Sequence, residues 1–333
     1  MPLSKSEIAL IDVKNLRFTY TRGREPAVRN LDFEIKDGEV FGLLEPNGAG
    51  KTTTLNILIG ILKGYQGRVS VMGRELAGWG RDYYESIGVS FEFPNHYLKL
   101  TARENLEYFR ALYSGETEEP ADLLRLVGLE GDIDVPVGQF SKGMKNRLNF
   151  ARSLLHRPRL WFLDEPTTGL DPANSKNIRN IVKERQSRGI TTFLTTHDMM
   201  VADELCDRVG FIVDGELKIV DAPGTLKRRY GSPTVKVEVA SDEGIETREF
   251  PLDGLGEDQG FLGTIREQRV ETIHSQETTL EEVFLEVTGR ALAWEARRHP
   301  PPRCSAPIAE LALSHRSRGR LGRGVGGTVL SGP

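Results

Sequence analysis

The chain has 333 residues, 38% of them hydrophobic, with a formal net charge of -4: enough apolar material for one large domain or two smaller ones, and no general attraction for nucleic acid. No stretch approaches the ~18 to 20 apolar residues of a membrane helix, and the N-terminus lacks the apolar core of a signal peptide. The two cysteines, Cys206 and Cys304, have neither metal-ligand spacing nor the number for a disulfide framework, so the compartment reads as cytosolic.

Leu16 to Tyr20 and Leu31 to Ile35 alternate apolar with polar residues, and Asp37-Gly38 signals a tight turn, which predicts an antiparallel N-terminal sheet. Val40 to Leu44 is a nearly continuous apolar run, the pattern of a strand buried on both faces, and Thr52 to Leu62 reads as a helix. From Pro94 to His156 helical periodicity dominates, opened by a capping box at Thr101 and Glu104, and predicts a mostly helical insert of about residues 94–156. Strand signals return at Leu160 to Leu163 and Thr191 to Thr195, around a helix with Asp171 as N-cap and Pro172 in its first turn; this βαβ rhythm implies a parallel sheet. Residues 1–230 therefore form one α/β unit.

Beyond Tyr230, Val235, Val237 and Val239 alternate with Lys236 and Glu238, and a helix starts at a Thr279/Glu282 capping box and stops at Gly289. Residues 231–290 are read as a small α+β accessory domain. From Ala291 to Pro333 seven arginines face two glutamates and no lysine, and the expectation is a disordered Arg/Pro/Gly-rich tail.

Five segments carry phosphate chemistry in a fixed order: Asn47-Gly-Ala-Gly-Lys-Thr-Thr53, Phe140-Ser-Lys-Gly-Met-Lys145, Leu160-Trp-Phe-Leu-Asp-Glu165, Thr168-Gly-Leu-Asp171 and Thr195-Thr-His197. In the first, a glycine-rich turn opening a helix aims backbone N–H groups at phosphate oxygens, and the helix N-terminus favours negative charge. Gly48, Ala49, Gly50 and Thr52 form that cradle after Asn47. Lys51 bridges the β- and γ-phosphates, Thr52 offers its hydroxyl to Mg²⁺, and Thr53 reaches the α-phosphate side. The full pattern asks for glycine five residues before Gly50, where this chain has Glu45, a carboxylate that either repels phosphate or points outward. Asp164 and Glu165 stand where a buried strand ends, the ligand-binding edge of such a sheet.

Taken together, these motifs resemble the ATP-binding subunit of an ABC transporter, a P-loop NTPase, over roughly residues 11–225. The resemblance implies ATP and Mg²⁺ as cofactors. Asp164 would hold the metal through water, Glu165 would polarise the water attacking the γ-phosphate, and His197 would sense that phosphate. The family's Leu-Ser-Gly-Gly-Gln segment is here Phe140-Ser-Lys-Gly-Met144, keeping Ser141 and Gly143. It implies a head-to-tail dimer in which this segment meets the ATP of the opposite subunit. Ser141 as a plain cap of a helix Lys142 to Leu155 is the competing reading, and Asp171 is either the loop coupling the two sites or a plain N-cap. Tyr20 matches the adenine-stacking aromatic, or packs in the core. Ile87 to Glu92 matches a loop whose glutamine touches Mg²⁺; here that position is Glu92. Asn95, His96, Tyr97 and Leu98 would then be exposed and face a membrane subunit, with an ordinary exposed loop as the competing reading.

The segments Ile87 to Thr101 and Thr279 to Phe284 are similar to ATPase subunits of ABC-2-type drug exporters, including those of fluoroquinolone export. The expected role is an ATPase energising export through a separate membrane-spanning permease, as a homodimer on the cytoplasmic face of the membrane. Two alternatives stand beside it: a module with impaired hydrolysis, motivated by Glu45 and Glu92, and a non-transport ABC ATPase, which would need a second such domain or a long inserted coiled coil.

Overall fold

A computed structural model describes residues 9–21, 25–45, 50–241 and 244–289. Asn47, Gly48 and Ala49 of the expected cradle, and the segment from Ala291 onward, lie outside these residues. β1 (Ala9–Phe18) and β2 (Val28–Lys36) pair antiparallel, with Val13 opposite Phe33, and alternate buried with open positions as the sequence pattern requires. Tyr20 lies two residues past the end of β1 rather than on a strand.

β3 (Val40–Leu44) is buried along its whole length, and after it α1 (Lys51–Leu58) begins. The helix stops four residues short of the expected Leu62, because Gly60 adopts φ +78° and turns the chain out of the helix. β4 (Gln66–Val71) and β5 (Arg74–Glu75) complete an antiparallel sheet in the order β2-β1-β4-β5. The short α2 (Asp82–Ser86) leads to β6 (Ile87–Ser90), so the first four residues of the segment matched to a loop form a strand. The helical insert holds α3 (Ala102–Arg110), α4 (Pro120–Leu126) and α5 (Lys142–Arg152). Both arms of the Thr101/Glu104 capping box are formed.

β7 (Leu160–Asp164), α6 (Pro172–Ser187), β8 (Thr191–Thr196), α7 (Met199–Leu205), β9 (Arg208–Val213) and β10 (Glu216–Asp221) finish a second sheet, ordered β10-β9-β3-β8-β7-β6 and parallel except for β10. Its central strands are buried on both faces, which explains their continuous apolar runs. A stack of rings locks the two sheets together. Phe41 of β3 lies 5.5 Å from Phe33 of β2 and 6.1 Å from Phe193 of β8, each pair contributing about 0.5 to 1.5 kcal/mol beyond area burial.

α8 (Pro223–Tyr230) precedes a third sheet of β11 (Thr234–Ser241), β12 (Gly244–Pro251) and β13 (Val270–Gln276), ordered β12-β11-β13, with α9 (Gln259–Glu267) before its last strand. Val235, Val237 and Val239 form its small core with Phe250 and Phe261. The capped helix α10 (Leu280–Thr288), assigned from sequence to this accessory unit, packs elsewhere: Leu280, Val283 and Phe284 are buried against α7, α8 and β10, inside the core of the larger unit. Its apolar face needs more cover than three valines on a small sheet provide.

His96 departs from its expected exposed position. It is buried, and its Nε2 lies 2.9 Å from the Lys145 carbonyl. Burial pushes its pKa down to about 4, so the ring is neutral when folded. The unfolded chain takes up that proton near pH ~6.5, so this site favours folding above that pH and loses ground as pH falls towards 4. Between pH ~7 and ~5 it should cost about 2 kcal/mol. Urea unfolding at both pH values should show this loss in the wild type and a smaller one in His96→Gln; equal losses would refute the assignment.

Candidate functional site

The site gathers at the C-terminal ends of β3, β7 and β8. Gly50, immediately before α1, has φ +111°, and a Cβ there would sit 2.6 Å from the Ala27 carbonyl oxygen, so only glycine fits. Lys51 then starts α1 with its side chain buried. Its Nζ donates to the Glu45 carbonyl at 2.6 Å and lies 3.8 Å from Glu165 Oε1. Thr52 is exposed on the first turn, whereas Thr53 is buried with its Oγ1 3.0 Å from the Tyr20 hydroxyl. Tyr20 is 44% exposed, so it is not a core ring, and it stands perpendicular to Phe18 with centroids 5.0 Å apart. Glu45 is 3% exposed, so it turns inward at the exit of β3.

Register does the rest. β7 and β8 run parallel with Asp164 beside Thr195, and Thr195 Oγ1 donates to Asp164 Oδ1 at 2.5 Å. Burial raises the pKa of Asp164, opposed by that hydrogen bond. Glu165 follows in the left-handed region at φ +49°, its backbone N–H donating to the Thr195 carbonyl at 2.9 Å. Its carboxylate accepts from Thr196 Oγ1 at 3.1 Å and Thr168 Oγ1 at 3.2 Å, and lies 2.8 Å from His197 Nδ1. Burial alone would raise its pKa, but the hydrogen bond and charge of His197, with Lys51 and Thr196, hold it below the usual carboxylate range. The Glu165 hydrogen bond in turn raises the pKa of His197. Glu165 is thus kept ionised among a lysine, a histidine and two hydroxyls, the state a base for an incoming water requires.

Glu92 lies at the edge of this group. Burial and the negative charges of Asp164 and Glu165 raise its pKa, which places it within electrostatic reach of both. Among the described residues no three His, Cys, Asp or Glu stand close enough to hold a metal alone. Thr52, Asp164 and Glu92 are hard oxygen donors suited to Mg²⁺ completed by phosphate oxygens and water.

Ser141 and Gly143 lie on a separate element. Ser141 caps α5 through Met144 N at 3.2 Å, so the capping reading holds whatever else the residue does, and Gly143 faces Leu170 and Gly169. Asp171 caps α6, accepting from Ala173 N, Asn174 N and Asn174 Nδ2. Both residues are exposed.

Sequence reasoning missed Thr168, Thr195 and Thr196 as supports of the two carboxylates. The available signal was a strand with every position buried that still carries hydroxyls, each of which must find an acceptor. It also missed Asn149, whose Nδ2 donates to Ser90 Oγ at 3.1 Å and the Phe91 carbonyl at 2.8 Å, and Arg152, whose Nη1 donates to the Asn95 carbonyl at 2.7 Å. These two residues tie the loop after β6 to α5.

Residues 28–168 match the family described as ABC transporter, and residues 233–277 match the fluoroquinolone efflux ABC transporter C-terminal domain. A fluoroquinolones export ATP-binding protein of Mycobacterium tuberculosis (strain ATCC 25618 / H37Rv) is 53% identical over 284 residues, covering 85% of this chain and 94% of that protein. The chain belongs to the ATP-binding subunits of ABC transporters. A bacitracin transport ATP-binding protein of Bacillus licheniformis is 38% identical over 207 residues, covering 62% of this ABC subunit and 68% of that protein. Among solved structures, an ATP-binding subunit of an ABC transporter superposes with TM-score 0.61 at 29% identity, covering 67% of this chain and 93% of its own. An ATP-binding cassette in a dimeric post-hydrolysis state with ADP and Pi gives TM-score 0.58 at 28% identity, covering 64% and 98%. The P-loop α/β fold expected from the motifs is therefore the fold of the chain, and its activity is that of an ABC ATPase, which binds nucleotide and serves a membrane partner. No described helix is long and apolar enough to cross a membrane.

Proposed function

We infer that this ATPase energises export of a drug-like small molecule, with fluoroquinolones the first candidates, through a separate permease, working as a homodimer on the cytoplasmic face of the membrane. The observation that carries the reading is the Glu165 carboxylate, held ionised by Lys51, His197, Thr196 and Thr168 at the end of a buried strand. Gly50, Lys51, Thr52 and Thr53, with Asn47, Gly48 and Ala49, cradle the phosphates, and Tyr20 offers its ring to the base. Thr52, Asp164 and Glu92 hold Mg²⁺, which neutralises phosphate charge when bound. Glu165 accepts a proton from the attacking water, and His197, bonded to the same carboxylate, orients it. Ser141 and Asp171, exposed at their helix starts, and the half-buried Gly143 meet the nucleotide and loop of the second subunit; the helix N-terminus at Ser141 suits a phosphate.

The permease docks where Asn95, Tyr97 and Leu98 stand exposed beside a cavity of about 360 Å³ lined in part by Phe93, Phe109 and Arg152. Asn149 and Arg152 relay its position to α5. Residues 1–230 with α10 are the motor, and β11 to β13 with α9 are the accessory unit.

The deciding experiment is Mg²⁺-dependent ATP hydrolysis and ATP-induced dimerisation of the purified chain; absence of both, with the permease present, would overturn the reading. The impaired-hydrolysis alternative rests on buried Glu45. At a dielectric of ~20, two unit charges ~8 Å apart interact by about 2 kcal/mol. Glu45→Gly should then tighten ATP binding by roughly 30-fold in a fluorescent-nucleotide titration, while unchanged affinity would mean that the carboxylate does not act on the phosphates.

A further inference from the structure

Away from the residues of the candidate site, a cavity of about 590 Å³ opens between the turn after α1, β5 and the approach to α2. Its volume falls in the range of small-molecule sites, ~300 to 1,000 Å³. Four aromatic residues line it: Tyr65, Trp79, Tyr83 and Tyr84. Trp79 and Tyr83 pack with ring centroids 5.4 Å apart, and Tyr83 and Tyr84 at 5.9 Å. The polar tips of two of these rings are already used. Trp79 Nε1 donates to the Val71 carbonyl at 3.2 Å and the Tyr83 hydroxyl to the Leu58 carbonyl at 2.5 Å. What these rings offer a ligand is flat apolar surface, which favours a planar aromatic molecule.

Tyr65 differs. Its hydroxyl oxygen is buried with no hydrogen-bond partner among the described residues. Burial, with the charge of Glu75, raises its pKa, so it stays a protonated donor lacking an acceptor. A buried polar group left unmade is costly, and because the Tyr65 side chain is only half-buried, turning its hydroxyl onto a ligand acceptor in the cavity would remove that cost.

Charge selects the sign of the ligand. Lys63 and Arg81 line the cavity, are exposed, and have no ion pair among the described residues. The one acid of the lining, Glu75, is engaged: Oε1 accepts from Val69 N at 3.2 Å and Oε2 lies 3.8 Å from Arg68. The Arg74 guanidinium already lies 4.9 Å over the Trp79 ring, so a second cation on that ring would meet like charge.

We propose that this cavity is a binding site for a small planar aromatic carboxylate, stacked against Trp79 and Tyr84, with an acceptor at the Tyr65 hydroxyl and its carboxylate at Lys63 and Arg81. The site is independent of the nucleotide reading, since it shares no residue with it.

Calorimetric titration of the full-length chain with 2-naphthoate, naphthalene-2-carboxamide and 2-naphthylmethylammonium tests it. The expected result is saturable one-to-one binding of naphthoate, at least about tenfold tighter than the neutral or cationic probe. Tyr65→Phe, which removes a single oxygen, and Arg81→Glu, at an exposed position, should each weaken naphthoate by about fivefold or more while circular dichroism stays that of the wild type. Lys51→Ala should leave it unchanged. Equal binding of the three probes, no saturable binding of naphthoate, or a loss in Lys51→Ala without one in Tyr65→Phe and Arg81→Glu would overturn the proposal.

Discussion

Glu165→Gln should lower steady-state ATP hydrolysis by about 10² to 10⁴-fold while leaving ATP affinity within a few fold of wild type. The side chain keeps its shape and its hydrogen-bonding capacity towards Thr196 and Thr168, so β7, β8 and the turn after them keep their positions. What disappears is the ionised carboxylate that the surrounding lysine and histidine maintain. Lys51 still has the Glu45 carbonyl as a partner, which keeps the phosphate side of the site in place. With binding intact and hydrolysis removed, ATP should accumulate in a dimer that gel filtration or light scattering resolves. A variant that hydrolyses at more than about a tenth of the wild-type rate would show that another group takes the proton.

The second large effect is structural. Phe284→Ala in α10 should destabilise the chain by about 3 to 5 kcal/mol, the usual cost of emptying a fully buried phenylalanine site. Phe284 has no exposure and stands edge-on to Phe211 of β9, centroids 5.3 Å apart, so the void would open inside the motor's core. Urea unfolding measures the total, and hydrogen exchange tells where it falls. Amides of β9 and α7 should lose protection together with α10. A cost below about 1 kcal/mol, with protection lost only in α10, would make the helix an appendage. This also explains why a helix that follows the accessory sheet in the chain matters to the motor: it packs against α7, the helix that begins two residues after His197.

The same contrast separates what was legible in the sequence from what was not. Composition and periodicity determined the elements whose cause is local. The fully apolar Val40 to Leu44 and Leu160 to Leu163 could be comfortable only with both faces covered, and the capping boxes at Thr101 and Thr279 satisfy backbone donors within three residues of themselves. Motif order then placed Lys51, Asp164, Glu165 and His197 on the edge where those strands end. β12, β13 and α9 went unseen because one face of that small sheet is polar and its burial pattern follows no clean period.

Tertiary structure decided everything that depends on residues distant in the chain. Thr195 serves Asp164 because two parallel strands pair in one register and not in another; a shift of one residue would turn its hydroxyl to the opposite face. His96 is buried where its ring meets the Lys145 carbonyl of α5, and Glu45 is buried at the exit of β3, where its carbonyl accepts from Lys51 of α1. α10 joined the larger unit because an apolar helix face packs where sufficient apolar surface is available, and chain order does not supply that surface. The sequence by itself determined which chemistry this protein carries; packing determined which neighbours hold each group in the state that chemistry needs.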